Sequence, residues 1–119
     1  MDPEKRSTRL IVKFEKMLAE EADIFFDLYD YEDLVEHYLQ IGKIKKGLLT
    51  TKIALKNYPE SVFILLKRAQ LLILVNKTKE AKKTLKKAEI IDPNKHEVLL
   101  VKSMIYSRIK DHEKAIETL

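Results

Sequence analysis

The 119-residue chain contains no cysteine and no tryptophan, and only two glycines and three prolines. The lack of thiols excludes a disulfide framework, a thiolate metal site and a cysteine nucleophile. Scarce Gly and Pro, beside plentiful Leu, Lys, Ile, Glu and Ala, suit a chain built from helices. Long apolar runs are also missing: a stretch such as Leu71 to Val75 falls far short of the ~20 residues that cross a bilayer. The charged opening, Met1-Asp2-Pro3-Glu4, leads into no apolar signal core, so a soluble, cytoplasmic protein is expected. There is no Gly-rich phosphate loop and no His-Glu-x-x-His pair. His37, His96 and His112 stand too far apart for a local metal motif and read as exposed imidazoles. No catalytic role, cofactor or metal is expected.

Charge is distributed unevenly. The net charge is +4, yet residues 1–41 carry 5 basic and 11 acidic side chains, and residues 42–119 carry 18 and 8. Between Lys16 and Lys43 no lysine or arginine occurs, while Glu20, Glu21, Asp23, Asp27, Asp30, Glu32, Asp33 and Glu36 do. Solvated helix faces account for this pattern; attraction between opposite ends of one molecule, or of two, is the alternative.

A repeat organises the rest. Pro59 and Pro93 lie 34 residues apart, each five residues after an alanine, Ala54 and Ala88. The same shift places Leu65 on Tyr31 and Leu99, Leu72 on Tyr38 and Tyr106, Ala81 on Gly47 and Ala115, and Leu85 on Thr51 and Leu119. Large residues recur on large and small on small. Residues 62–75 are apolar enough for a helix buried on most sides. Asn76 ends it, and Thr78 is the expected N-cap of a second helix over 78–91. That helix puts Ala81, Leu85, Ala88 and Ile91 on one stripe opposite its lysines, and Asp92-Pro93 stops it. Each unit is then a helical hairpin that must stack on a neighbour to bury its apolar face.

These residues resemble the tetratricopeptide-repeat family. Tyr31, Leu34, Val35, Tyr38, Gly42, Gly47, Ala54 and Pro59 follow its 34-residue pattern, as do Leu65, Ala69, Leu72, Ala81, Leu85, Ala88 and Pro93. A third unit offers Leu99, Ser103, Tyr106, Ala115 and Leu119. Arg68 and Lys102 depart from a usual Leu, and Asn76 and Lys110 from a usual Gly. The resemblance implies an all-α fold, a right-handed α-solenoid of antiparallel helix pairs, about seven helices in all. Its expected divisions are 1–27, a capping helix over 4–20 followed by an acidic aromatic segment, then repeats at 28–61, 62–95 and 96–119, the last incomplete. Ile24, Phe25, Phe26, Leu28 and Tyr29 are expected to cover the open face of the first repeat, and Ile116 and Leu119 to lack a covering helix.

In that family the first helices of successive repeats line a groove that holds a segment of another protein. The corresponding positions here are Glu32, Asp33, Glu36 and Gln40, then Phe63, Leu66, Lys67, Gln70 and Leu74, then Glu97, Leu100, Val101, Met104 and Arg108. About half of the apolar ones are expected to pack between helices instead. The implied function is a non-catalytic interaction scaffold, favouring a segment with basic residues beside an apolar anchor. Family members that clamp a chaperone's C-terminal carboxylate need Lys, Asn, Asn, Lys and Arg where this chain has Glu32, Glu36, Lys67, Glu97 and Val101. Three carboxylates there would repel such a ligand, so that partner is not expected. Two other readings stay open: self-assembly through the C-terminal end, as a homodimer or within a longer chain, and polyanion binding by Lys82, Lys83, Lys86 and Lys87. The missing interleaved aromatics, and a period of 34 where pentatricopeptide RNA readers typically have 35, make nucleic acid an unlikely partner.

Overall fold

A computed structural model describes residues 3–117 and, within them, the side chains of residues 5–114. Six helices follow one another: α1 (Pro3–Glu20), α2 (Leu28–Gln40), α3 (Ile44–Asn57), α4 (Val62–Leu74), α5 (Thr78–Ile91) and α6 (His96–Glu117). No strand occurs among the described residues. Sequential neighbours pack from α1 to α6, and α2 also touches α4, as α4 touches α6. The odd-numbered α3 and α5 thus back a layer made of α2, α4 and α6, which is a helical repeat solenoid.

Local chemistry sets the helix ends. Asp27 and Asp30 form a reciprocal cap at α2: the Asp30 amide donates to Asp27 Oδ1 (2.8 Å), and the Asp27 amide to Asp30 Oδ2 (3.1 Å). Ser61 accepts from the Ile64 amide at the start of α4. The turns after α2 and α4 are the same device. Gly42 (φ +74°) and Asn76 (φ +62°) take the left-handed conformation. The next amides, of Lys43 and Lys77, each reach back 2.9 Å to the carbonyls of Tyr38 and Leu72. This turn also corrects the expected cap of α5. Lys77 holds the cap position without a side-chain hydrogen bond and Thr78 is already helical, because the left-handed residue at 76 fixes the chain's entry.

The third repeat lacks that turn. Position 110, in register with Gly42 and Asn76, is a lysine, and α6 runs through it to Glu117. Six helices therefore stand among the described residues where the sequence suggested about seven. A lysine pays the steric cost of the left-handed region in full, so continuing the helix is the cheaper path. Leu119 lies outside the described residues, as do the side chains of Ala115 and Ile116.

The core has two connected parts. Leu10, Phe14 and Met17 of α1 and Phe26 of the following segment are buried with Tyr31, Leu34, Val35 and Tyr38 of α2. Phe14 meets Phe26 edge-on at 5.6 Å, and Phe26 leans on Tyr31 at 5.7 Å. Of the aromatic cluster expected to cover the first repeat, Phe26 alone is fully buried: Phe25 and Tyr29 are 77% and 73% exposed. Residues 22–27 are not helical, so Phe25 and Phe26 point to opposite sides. The second part joins Leu65, Ala69 and Leu72 of α4, Ala81, Leu85 and Ala88 of α5, and Val98, Val101 and Ile105 of α6. Between the two, Arg68 donates to the Leu48 carbonyl (3.1 Å) and to Thr51 Oγ1 (2.9 Å), tying α4 to α3 where the family pattern has a leucine.

Candidate functional groove

Because α2, α4 and α6 lie side by side, residues spaced three and four apart on each converge on one face. Eight of the fourteen groove residues named from sequence meet in one cavity of about 300 Å³: Phe63, Leu66, Lys67, Gln70, Glu97, Leu100, Val101 and Met104. Leu66 and Val101 are buried and form its floor, whereas Leu100 and Met104 are half exposed, at 50% and 58%. The apolar surface on offer is therefore mainly that of Leu100 and Met104, with Phe63 half-buried beside them. Glu32, Asp33, Glu36 and Gln40 lie on α2, outside the cavity, and Leu74 is exposed at the end of α4. Arg108 lines a different cleft of about 450 Å³, with Ile73, Asn76 and Thr78 of the α4–α5 turn.

The acidic end of this face is met by the protein's own cations. Lys67 Nζ sits 2.9 Å from Glu36 and 5.4 Å above the Phe63 ring. Arg6, from α1, pairs with Asp33 and, at 3.4 Å, with Asp30. Burial pushes the Glu32 carboxyl above its ordinary range, Asp33 adds to the rise, and Lys95 opposes it. Lys95 escaped the sequence reading although it also lines the cavity. The repeat held the signal: 95 is in register with Ser61, the cap of α4, and the Lys95 carbonyl accepts from the Val98 amide at the start of α6.

The remaining candidates sit elsewhere. Lys82, Lys83, Lys86 and Lys87 are all exposed on α5, and Lys82 Nζ lies 5.5 Å over the Tyr106 ring. His96 and His112 are exposed, but His37 is half-buried with its ring against Tyr38 at 5.3 Å. Among the described residues no three His, Asp or Glu side chains gather to hold a metal ion, and no helix is long and apolar enough to cross a membrane.

A family model described as tetratricopeptide repeat matches residues 96–119, the third of the units read from the sequence. No curated protein matches the chain. The matched unit, two further units in 34-residue register with it, and a stack of adjacent helices make the chain similar to a tetratricopeptide-repeat stack.

Proposed function

We propose that the chain acts as a non-catalytic scaffold that holds a segment of another protein against the α2–α4–α6 face. The observation that carries this reading is the cavity between α4 and α6, where exposed Leu100 and Met104 rim a floor of Leu66 and Val101. Its volume is at the small end for ligand sites, which suits one apolar anchor side chain of a peptide. Burying such an anchor is worth roughly 2–3 kcal/mol, and ordering a short peptide opposes it, so affinity is about micromolar at best. Basic residues flanking the anchor would face Glu32 and Glu97, since Glu36 and Asp33 already have partners. A chaperone's C-terminal carboxylate would meet Glu32, Glu36 and Glu97 instead and is disfavoured. Capture from the source cell's lysate with the wild-type chain and with Leu100→Asp/Met104→Asp tests the groove. Both residues are exposed, so helicity should be unchanged while the groove's partner is lost; retention of the same proteins by both forms refutes the reading. Self-association through α6 is a second reading, favoured by the exposure of Leu99 (54%) and Tyr106 (48%) on another side of that helix.

A further inference from the structure

Between α1 and α2 the chain does not turn directly from one helix into the next. Glu21 takes the left-handed conformation (φ +52°), and residues 22–27 then run without helix or turn to Asp27, which is extended (φ −83°, ψ 174°). Exposure alternates along them with the period of a strand. Ile24 is half-buried and Phe26 buried, while Asp23, Phe25 and Asp27 are exposed. The main chain here is also unpaired: the amides of Asp23, Ile24 and Phe25 donate to no other group of the protein, and their carbonyls accept from none. The Phe26 carbonyl is the next to be held, accepting from the Tyr58 hydroxyl at 3.3 Å. Residues 23–25 are thus a short strand edge with no neighbour.

Beside this edge lies a cleft of about 790 Å³, walled on its other side by the C-terminal end of α3. Met17, Phe26 and Tyr31, all buried, and the half-buried Ile24, Ile53 and Tyr58 give it an apolar lining. Its volume lies well inside the range of ligand sites. The edge is fixed in advance, because Phe26 is held between Phe14 at 5.6 Å and Tyr31 at 5.7 Å, so little ordering is left to a binding event. Charge then selects the occupant. Glu21, Asp23 and Asp27 are exposed on the segment, against Lys56 in the cleft. Two copies paired antiparallel about Phe25 would set Asp23 against Asp27 twice, and like charges directly opposite destabilise a strand pair. A basic partner strand meets the reverse: side chains opposite Asp23 and Asp27 share one face, and those between them alternate toward the cleft.

We propose that residues 23–25 receive an extended segment of another protein as a second strand, one in which apolar residues alternate with lysine or arginine. Main-chain hydrogen bonds to the open edge supply affinity. The apolar side chains enter the cleft, and the cations meet Asp23 and Asp27. Asp27 already caps α2, so Asp23 is the carboxylate that a substitution can test without disturbing a helix. This surface shares no lining residue with the α4–α6 cavity and goes beyond the function proposed for that groove.

A phage-displayed library of random dodecapeptides, selected in parallel on the wild-type chain and on Leu100→Asp/Met104→Asp, tests it. Peptides enriched on both forms are independent of the groove, so the two sites stand or fall separately. They should alternate basic and apolar residues. As synthetic peptides in isothermal titration, they should bind Asp23→Lys weaker by roughly tenfold or more, since repulsion replaces attraction. N-methylation of alternate peptide amides should abolish binding by removing the main-chain donors. Exchange of the chain's own amides within 23–25 should slow in the complex. Asp23 is exposed, so the variant should keep the wild-type helicity. The proposal is overturned if no peptide is enriched on both forms. It is equally overturned if the enriched peptides bind Asp23→Lys as tightly as the wild type, tolerate N-methylation, or leave exchange within 23–25 unchanged.

Discussion

Replacing Phe14 by alanine asks whether α1 is a working part of the core or an appendage. The Phe14 ring is fully buried, edge-on to Phe26 at 5.6 Å and tilted against Tyr38 at 6.4 Å, so it joins three elements at once. Truncating a buried Phe to Ala costs roughly 3–5 kcal/mol from lost transfer energy and the cavity left behind. Collapse should be partial, because α1 packs chiefly on α2, with the Glu15–Lys46 ion pair to α3, and can shift toward the gap, so about 3 kcal/mol is expected. With a urea slope near 2 kcal/mol per M for a domain of this size, the midpoint should fall by about 1.5 M. Val12→Ala on the same helix is the control: Val12 is 61% exposed, and its loss should move stability by less than about 0.5 kcal/mol.

The assay is urea unfolding followed by circular dichroism at 222 nm. Repeat stacks need not unfold in one step, since each unit touches only its neighbours. If α1 shares the cooperative core, the Phe14→Ala curve keeps a single transition and shifts as a whole. If a small first phase separates and the main midpoint stays put, or if the total cost is below about 1 kcal/mol, the reasoning from burial fails and α1 is peripheral.

Two further outcomes follow from the same region. Burial, and then the neighbouring Glu15 charge, push the Tyr38 phenol up to about 12, and its hydroxyl donates to Glu15 Oε1 at 3.3 Å. A raised tyrosine pKa stabilises the fold fully below the unfolded value of ~10 and loses that contribution as pH climbs toward 12. Urea midpoints taken from pH 8 to 11.5 should therefore fall less steeply for Tyr38→Phe than for the wild type; parallel profiles would show that Tyr38 is not what titrates. At Gly47, a Cβ would stand 3.1 Å from Leu71 Cδ1 and 3.7 Å from the Tyr38 Cβ. Gly47→Ala gains about 1 kcal/mol of helix propensity and spends about as much on displacing the fully buried Leu71, leaving stability within ~1 kcal/mol. Gly47→Leu should overpack the junction and cost at least 2–3 kcal/mol in the same unfolding assay; a neutral result would mean that α3 can move away from α2 and α4.

Much of the fold was legible because repeats write it more than once. Pro59 with Pro93 and Ala54 with Ala88 set the period, and Gly42 marked a turn that Asn76 repeats less openly. What stayed hidden was non-local or negative. Lys110 carries no stop signal, and helical periodicity reads the same whether a helix turns or continues, so the unbroken α6 could not be seen. The acidic stretch read as free charge because its partners come from far along the chain: Arg6 reaches Asp33, and Lys67 reaches Glu36. Alternation within residues 22–27 hid which of Phe25 and Phe26 turns inward. The groove residues themselves were readable, since eight of them share one cavity, but whether Leu66 or Leu100 presents surface depends on how closely α4 and α6 approach.

The internal pairing changes how selectivity on the α2–α4–α6 face has to arise. A cationic ligand side chain approaching Glu36 must displace Lys67, and one approaching Asp33 must displace Arg6. Each event exchanges one partly exposed ion pair for another, and such pairs are worth about 0–1 kcal/mol, so little net affinity follows. Burial of an apolar side chain has no such competitor, because Leu100 and Met104 are bare in the unbound face. Charge should then set orientation and encounter rate, with the anchor supplying most of the affinity. Methionine at the rim adapts its shape to different anchors. If the face holds a partner segment as proposed, it should discriminate by the position of an apolar residue within that segment more than by that residue's identity, and hold related sequences at modest affinity.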